Sequence, residues 1–438
     1  MIAVVGGGIT GLTLAWLLKE KGVPVQLYEA SKRVGGNIKS VREAECLLEV
    51  GPNSLRLNDF LHAYFTRLQL ADDLVQATPE ARHRYVLRDG AYRRLPTGPI
   101  SLLFNRFFRF SEKRRILRER NVPPGTDETE SIDAFFRRRF GDAVADYAVA
   151  PFISGIYAGN PHSLAVRAAF PQIKKWEQEH GSVIRGAIRG RKRNRHKGVI
   201  SLREGLEMLP RRLAERLGDR MHLEKPVTAL TADGSGYTLH FAHETVAAEK
   251  VVLTVPAQVT AKLLHDMDPA AAQALGSIYY PPVAMVHSLY RREDVSHPLD
   301  GFGGLNNHRE GRKTLGTIFS STTFAGRAPQ DTALLTTFIG GAYRPENARR
   351  APEAIQQMVH DELQDLLSVS GGPLFQKCTV WPQAIPQYEN RIWPAWQAAE
   401  RWATRGLYLS GNWIGGISVV ACIEQAHHLC EQLTTSHG

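Results

Sequence analysis

Gly6, Gly8 and Gly11 stand in GxGxxG spacing within the opening stretch MIAVVGGGITGLTLAWLLKEKG. Glycines so placed clear side chains from the backbone. The first permits a tight turn, the second lets amide groups approach a pyrophosphate, and the third allows a helix to lie close on a strand. The chemistry predicted is phosphate binding at a helix N-terminus, where unpaired N–H groups and the helix dipole favour negative charge. Glu29, about twenty residues further on, ends the segment PVQLYEA with a carboxylate that can accept hydrogen bonds from a ribose. A glycine turn with no ligand is the plainer alternative, but strand, turn, helix and acidic residue in that order favour the adenosine half of a dinucleotide.

These residues need elements to hold them. Residues 2–5, IAVV, have the uncharged β-branched character of a buried parallel strand. Leu12, Ala15, Trp16 and Leu18 then form an apolar helical face. At the other end, GLYLSGNWIGGISVVACIEQAHHLCEQL predicts a short buried strand over 407–410, a close backbone approach at Gly411 and a helix from near Ser418. Its apolar face comprises Val419, Val420, Ile423, Ala426, Leu429 and Leu433. The N-terminus of that helix, at Val419, can stabilise negative charge gained by a redox cofactor, although a plain closing helix fits the same pattern. Between the two ends, KVVLTVPAQVTAKLL (250–264) reads as strand, proline stop and helix.

After Glu29 the chain continues EASKRVGGNIKS, with Arg33, Gly35 and Gly36 directly behind the carboxylate. This resembles the second part of the fingerprint of flavoproteins with two dinucleotide-binding motifs, which implies FAD held extended. The middle of the chain is more specific. EVGPNSL (49–55), PFISGIYAGNPHSLAVRAAFP (151–171), SLREGLEMLPRRLAERL (201–217), GFGGLNNHREGRKTLGTIFSSTTFAGRAP (301–329), TTFIGGA (336–342) and AIPQY (384–388) together are similar to the oxygen-dependent protoporphyrinogen oxidase family, including its coproporphyrinogen-oxidising relatives.

The resemblance implies an α/β (α+β overall) fold: a Rossmann-type FAD-binding domain from residues 1–75, 200–265 and 396–438, an interleaved substrate-binding domain from 76–96 and 266–395, and a helical, membrane-associated domain over 97–199. It implies an enzyme that takes six electrons and six hydrogens from a porphyrinogen, with oxygen reoxidising the FAD and leaving as hydrogen peroxide. Arg84 matches the family's partner for a substrate propionate. Phe338 matches an aromatic stacked on a pyrrole ring, Leu305 and Ile318 match aliphatics that clamp the macrocycle from the other side, and the Gly155 carbonyl matches a group orienting the ring nitrogens. Gly155 and Phe338 are thus the candidate catalytic positions. Gly51, Pro52, Asn53 and Ser54 of the GPNS element and Val227 join the cofactor-binding residues. A macrocycle of this kind needs apolar walls and a cation at the rim, and a planar guanidinium suits a carboxylate. Hydride transfer from a meso carbon to the flavin requires alignment more than an acid or base.

Two features depart from the family: Asn160 in YAGNP, where aspartate is common, and ENRIW after IPQY, without the expected Gly-His. They put substrate detail in doubt more than reaction class. Protoporphyrinogen and coproporphyrinogen both remain open as substrates. An amine oxidase or carotenoid desaturase would share the two ends of the chain, and a flavin-fold binding protein is a reading from another class.

The four cysteines, Cys46, Cys378, Cys422 and Cys430, lack CxxC spacing, which argues against a zinc site, a redox dithiol or a disulfide framework. No apolar run is long enough to span a bilayer, so a cytoplasmic protein is expected. The net charge of +10 over 438 residues predicts an anionic partner. In SLLFNRFFRFSEKRRILRERN (101–121), Phe104, Phe107, Phe108 and Phe110 alternate with Arg106, Arg109, Lys113, Arg114 and Arg115, a pattern that predicts peripheral contact with an anionic membrane surface. A second basic stretch, RGAIRGRKRNRHKG (185–198), lacks aromatics for base stacking and reads as a mobile solvated loop rather than a nucleic-acid patch.

Overall fold

A computed structural model describes residues 1–96, 98–190, 194–234 and 236–435, apart from the side chains of residues 99, 100 and 103. Its first strand, Ile2–Val5, is buried throughout and lies at the centre of a five-stranded parallel sheet. The sheet order is Met221–His222, Val25–Tyr28, Ile2–Val5, Lys250–Leu253, Leu407–Leu409, so three distant parts of the chain meet in it. The helix Ile9–Glu20 is buried at every position from Ile9 to Leu18, not on one face alone. The reason is tertiary: helices Met208–Leu217 and Val419–Thr435 both pack against it, so the side that would meet solvent in a two-layer unit is covered here.

The second large sheet has seven strands in the order Phe375–Trp381, Val283–Arg291, Thr332–Gly340, Thr314–Phe319, Gly303–Leu305, Arg84–Arg88, Ala91–Arg94. Side chains alternate across a strand, so the two faces have different fates. Tyr85, Val286, Phe319 and Leu335 enter one core with Ile355, Val359 and Leu363 of the helix Pro352–Leu367. The pairing register sets Arg84, Gly303, Ile318 and Thr336 in one cross-strand row and Val86, Leu305, Gly316 and Phe338 in the next, both on the opposite face.

The part between the Arg84 hairpin and residue 190 is helical and covers that opposite face. Within it, the stretch 101–121 divides more sharply than its alternation of aromatics and cations predicts. Phe107 and Phe108 are buried against Val86 and Ile116, with ring centroids 4.8 Å apart in an edge-on pair. Phe104 and Phe110, by contrast, are 83% and 85% exposed. Two of the four phenylalanines therefore anchor the helices Pro99–Phe104 and Phe110–Leu117 to the hairpin, and two face outward.

The basic stretch 185–198 also differs from the expected loop. Its first part belongs to the helix Val183–Arg189, which Ser182 caps through its Oγ, 3.2 Å from the Arg185 N–H. Gly186 lies tight against Trp176, which ties this helix to its neighbour. The Arg195 and His196 N–H groups donate to Asp59, while residues 191–193 lie outside the described residues. Among the described residues no helix is long and apolar enough to cross a membrane.

Candidate active site

The glycine turn is built as its spacing predicts. Gly6 has φ +110°, a conformation that favours glycine, and a Cβ on Gly11 would collide with the Gly6 carbonyl. Gly8 meets nothing within 4 Å on its open side, and Gly36, at φ +55°, lies beside it. Glu29 sits at the end of the second strand, where one carboxylate oxygen accepts the Gly7 N–H at 2.6 Å and the other accepts the Ser31 N–H at 2.8 Å. Arg33 turns back onto the Val34, Gly36 and Ile38 carbonyls and so braces the Gly35–Gly36 loop. Half-buried Val227 follows Glu224 and Lys225, whose N–H groups donate to the Ser31 and Glu29 carbonyls.

This cradle supplies a test of fit for the expected cofactor. The buried helix Ile9–Glu20 has neither a side-chain cap nor an acidic residue in its first turn. A buried helix end leaves N–H donors that require a partner, and a pyrophosphate meets that need. The residues present fit FAD.

The C-terminal loop closes on the same region. Ser418 caps the helix Val419–Thr435 by accepting the Ala421 N–H at 3.0 Å. Gly411, at φ +132°, opens a loop fixed at several points. The Tyr388 hydroxyl donates to the Asn412 carbonyl at 2.8 Å and accepts the Gly416 N–H at 2.9 Å, and Gln425 donates to the Ile414 carbonyl at 2.7 Å. Trp396 donates to the Trp413 carbonyl at 2.9 Å. The neighbouring Gln387 reaches the Tyr157 carbonyl at 2.9 Å, so the IPQY element joins the YAGNP turn to the closing loop. In that turn Asn160 accepts the His162 N–H at 3.0 Å, a role open to aspartate as well.

The GPNS element is held between the two large sheets. A Cβ on Gly51 would strike the Asn37 carbonyl, and Val50 N–H donates to the Lys39 carbonyl at 2.8 Å, so this loop abuts the Gly35–Gly36 turn. From the other side, His287 Nε2 donates to the Glu49 carbonyl at 3.1 Å and Trp381 Nε1 to the Val50 carbonyl at 3.1 Å. Asn53 donates to the Gly51 carbonyl at 3.0 Å, while Pro52 and Ser54 are half-buried beside it.

Asn53, His287, Phe302, Ile318, Arg327 and Thr336 line a recess of about 330 Å³, counting all space not taken by atoms. Its wall includes an ion pair whose role no motif indicates: Glu49 and Arg327, 3.4 Å apart and both about 95% buried. Burial pushes the Glu49 carboxyl up, against the pull of Arg327 and of donors from Ser40 and Leu206, and burial likewise lowers Arg327. The sequence signal was a lone acid at the end of the apolar strand LLE.

The residues expected to meet a substrate come together on one face of the seven-stranded sheet, so Leu305 and Ile318 stand on the same side as Phe338 rather than opposite it, because the pairing register puts them in adjacent rows of that face. Leu305 packs directly against Gly155, where any side chain would collide with its Cδ2. Gly155 lies in the last turn of the helix Ala150–Tyr157, where carbonyls lack helical donors. Phe338 packs beside Ala158, Val283 and Leu315. Arg84 opens the strand Arg84–Arg88 with its guanidinium over the Phe302 ring, 4.5 Å from the centroid. The side chain is solvent-accessible, yet desolvation by surrounding protein lowers its pKa, as expected for a cation on a concave wall, and Arg56 adds repulsion.

Two consequences can be measured. Burial holds the His287 imidazole down to about 4, against an ordinary value of 6.5, so the unfolded chain binds more protons between those values. Stability is therefore fully present above the higher value and falls by roughly 3 kcal/mol as pH drops through the window, and a His287→Gln variant should flatten that slope in denaturant titrations. Tyr388→Phe removes the hydroxyl that serves the Asn412 carbonyl and the Gly416 N–H; FAD titration of the apoprotein should show about tenfold weaker binding.

Comparison with known proteins agrees with this geometry. The family model described as flavin containing amine oxidoreductase matches residues 9–434. A chloroplastic protoporphyrinogen oxidase of Nicotiana tabacum is 34% identical over 98% of this chain and 85% of its own length. A coproporphyrinogen III oxidase of Bacillus subtilis (strain 168) is 28% identical over 97% of this chain and 96% of its own. Among solved structures, a protein from Exiguobacterium sp. 255-15, provisionally called protoporphyrinogen oxidase, superposes with a TM-score of 0.82 over 99% of this chain and 98% of its own at 24% identity, a likeness that shows the fold. With a family match across nearly the whole chain and a relative of this identity over the same span, the protein belongs to the flavin-containing amine oxidoreductases, within their protoporphyrinogen oxidase branch, as an FAD-dependent oxidoreductase.

Proposed function

We propose that this protein oxidises protoporphyrinogen IX to protoporphyrin IX in heme biosynthesis, with coproporphyrinogen III to coproporphyrin III as the alternative reaction. One observation carries the reading: an arginine with no carboxylate partner at the edge of a sheet face whose neighbouring positions are Leu305, Ile318, Phe338 and glycine. That face is apolar at the centre and cationic at the rim, which matches a macrocycle with acidic arms. Other arginines of the same hairpin are spent on acids: Arg88 pairs with Glu112, Arg93 with Asp89 and Arg94 with Asp300. Among the described residues the Arg84 side chain has no ion pair or hydrogen bond and is left to an external anion.

FAD, which the Gly6–Gly11 turn, Glu29 and the Gly35–Gly36 loop would hold, would supply the redox chemistry between substrate and oxygen. Three oxygen molecules take the six electrons and six hydrogens and leave as three of hydrogen peroxide. The chain itself positions and shields. Arg84 holds a carboxylate arm, and Leu305, Ile318 and the Phe338 ring, from one sheet face, bear on the same side of the macrocycle. Gly155 brings its free carbonyl toward the ring N–H groups while leaving Leu305 the space to pack. No side chain is required to act as an acid or base, since orientation accounts for the protein's share.

Phe104, Phe110 and Leu117 emerge beside Arg106, Arg109, Arg114 and Arg118, all exposed. Aromatics that enter the headgroup boundary with cations around them support peripheral attachment to an anionic membrane, at its cytoplasmic face. A poorly soluble substrate fits that location.

Aerobic turnover of each porphyrinogen, followed by porphyrin fluorescence, tests the reading. Failure on both with flavin bound would overturn it. Arg84→Ala should lower kcat/KM by roughly 10- to 100-fold, chiefly through KM, with the flavin retained. Flotation with anionic liposomes should carry the wild type to the top and leave a Phe104→Ser/Phe110→Ser variant at the bottom.

A further inference from the structure

Beyond the rows that carry Arg84 and Phe338, the proposed substrate face ends in a second recess. Thr336 stands in the Arg84 row, and Gly340, on the same strand and the same face, lies about 13 Å further along at the rise of an antiparallel strand. Gly340 forms part of the wall of this recess, which measures about 290 Å³, counting all space not taken by atoms. The recess adjoins the residues expected to meet a substrate. Ser154 in its wall directly precedes Gly155, and Leu315, also in its wall, packs with Phe338 and Ala158.

Its remaining lining has the chemistry of an anion site. Arg312, Lys313 and Arg344 contribute to it, and among the described residues no acid does. The acids that touch these residues are already engaged: Asp365 pairs with Arg312, and Glu362 accepts the Lys313 and Thr314 N–H groups at 2.6 and 3.0 Å. The Lys313 and Arg344 side chains have no ion pair or hydrogen bond among the described residues. His308 and Tyr343 also line the recess, with their rings stacked at 4.4 Å between centroids. His308 Nδ1, the Tyr343 hydroxyl and Arg312 Nε are buried without a hydrogen-bond partner among the described residues. Burial first, then the charges of Asp133 and Asp146, raise the Tyr343 pKa, so the hydroxyl keeps its proton and can donate. Both of those acids are paired with Arg137. Buried donors without partners are costly, and a carboxylate satisfies several at once.

We infer that this recess is a carboxylate subsite, in which Arg344, Lys313 and the Tyr343 hydroxyl take an acidic arm on the edge of the macrocycle remote from Arg84. The inference rests on the proposed function and deepens it, because it makes coproporphyrinogen III a substrate of the same site beside protoporphyrinogen IX. Coproporphyrinogen carries propionates where protoporphyrinogen carries vinyl groups, and only a charged arm gains from unpaired cations. Half-buried Arg344 offers the carboxylate a planar fork of donors, which a lysine there reproduces only in charge, and exposed Lys313 adds a second cation.

The test uses the flavin-loaded enzyme and compares the wild type with Arg344→Gln, Arg344→Lys and Tyr343→Phe on coproporphyrinogen III and protoporphyrinogen IX. The wild type should turn over both, with the lower KM for coproporphyrinogen. Arg344→Gln should keep its flavin content and melting temperature, since this side chain has no ion pair or hydrogen bond to lose. Its KM for coproporphyrinogen should rise about tenfold with kcat within about twofold, and its KM for protoporphyrinogen should change less than about twofold. Tyr343→Phe should give a smaller rise, about threefold, on coproporphyrinogen alone, and Arg344→Lys should recover part of the loss. Fluorescence-quenching titration with coproporphyrin III and protoporphyrin IX should give the same ranking without turnover. Turnover confined to protoporphyrinogen, an unchanged KM of Arg344→Gln for coproporphyrinogen, or an equal loss on both substrates would overturn the inference and leave the proposed function standing. A wild type that turns over neither porphyrinogen sinks both.

Discussion

The clasp on residues 49–51 is the constraint on which the site depends. His287 and Trp381, from neighbouring strands of the seven-stranded sheet, each hold a carbonyl of this segment, and on its other side Val50 bonds to Lys39 and Gly51 presses on Asn37. A nucleotide cradle on one sheet is thereby set at a fixed distance from the proposed substrate face on another. Catalysis by alignment tolerates little slack between the two, because an error of one ångström in placing reacting atoms is costly. The buried Glu49–Arg327 pair beneath the clasp reinforces it with charge, at a desolvation cost that the surrounding donors from Ser40, Ser201 and Leu206 reduce.

The second sheet solves a problem of space. In the proposed reading this face admits a broad flat molecule and cannot be filled by its own side chains, and here Gly303 and Gly316 interrupt the two rows that carry Arg84, Ile318, Leu305 and Phe338. The opposite face carries the stabilising core, where Tyr85, Phe319 and Leu335 pack on the helix Pro352–Leu367. Stability and binding are thus divided between two sides of one sheet, with the helical region closing the binding side through Phe107, Phe108 and Gly155.

Charge follows the same division. In the helical region much of the excess arginine is structural: Arg139 is fully buried against Glu119, and Arg137 and Arg138 each hold two or more carboxylates. The Arg84 side chain, by contrast, has no carboxylate partner among the described residues, and the outer edge of 101–121 sets exposed phenylalanine among exposed arginine. Composition shows only the total, since a count of cations is the same whether they are buried in networks or turned outward.

Local rules were enough for the two ends of the chain. GxGxxG after IAVV, Glu29 at a strand end, a proline after KVVLTV and a helix from Ser418 all follow from backbone sterics and hydrophobic period, which act over a few residues, and the structure places each of them as read. Residue motifs also nominated Arg84, Leu305, Ile318, Phe338 and Gly155. That these share one face was beyond the sequence, because strand register is fixed by pairing between segments as far apart as Arg84 and Gly303. The same limit hid the burial of Phe107 and Phe108, the helix at Val183–Arg189 and the clasp on Glu49. Each depends on what packs against the residue from elsewhere, and only the folded chain decides that.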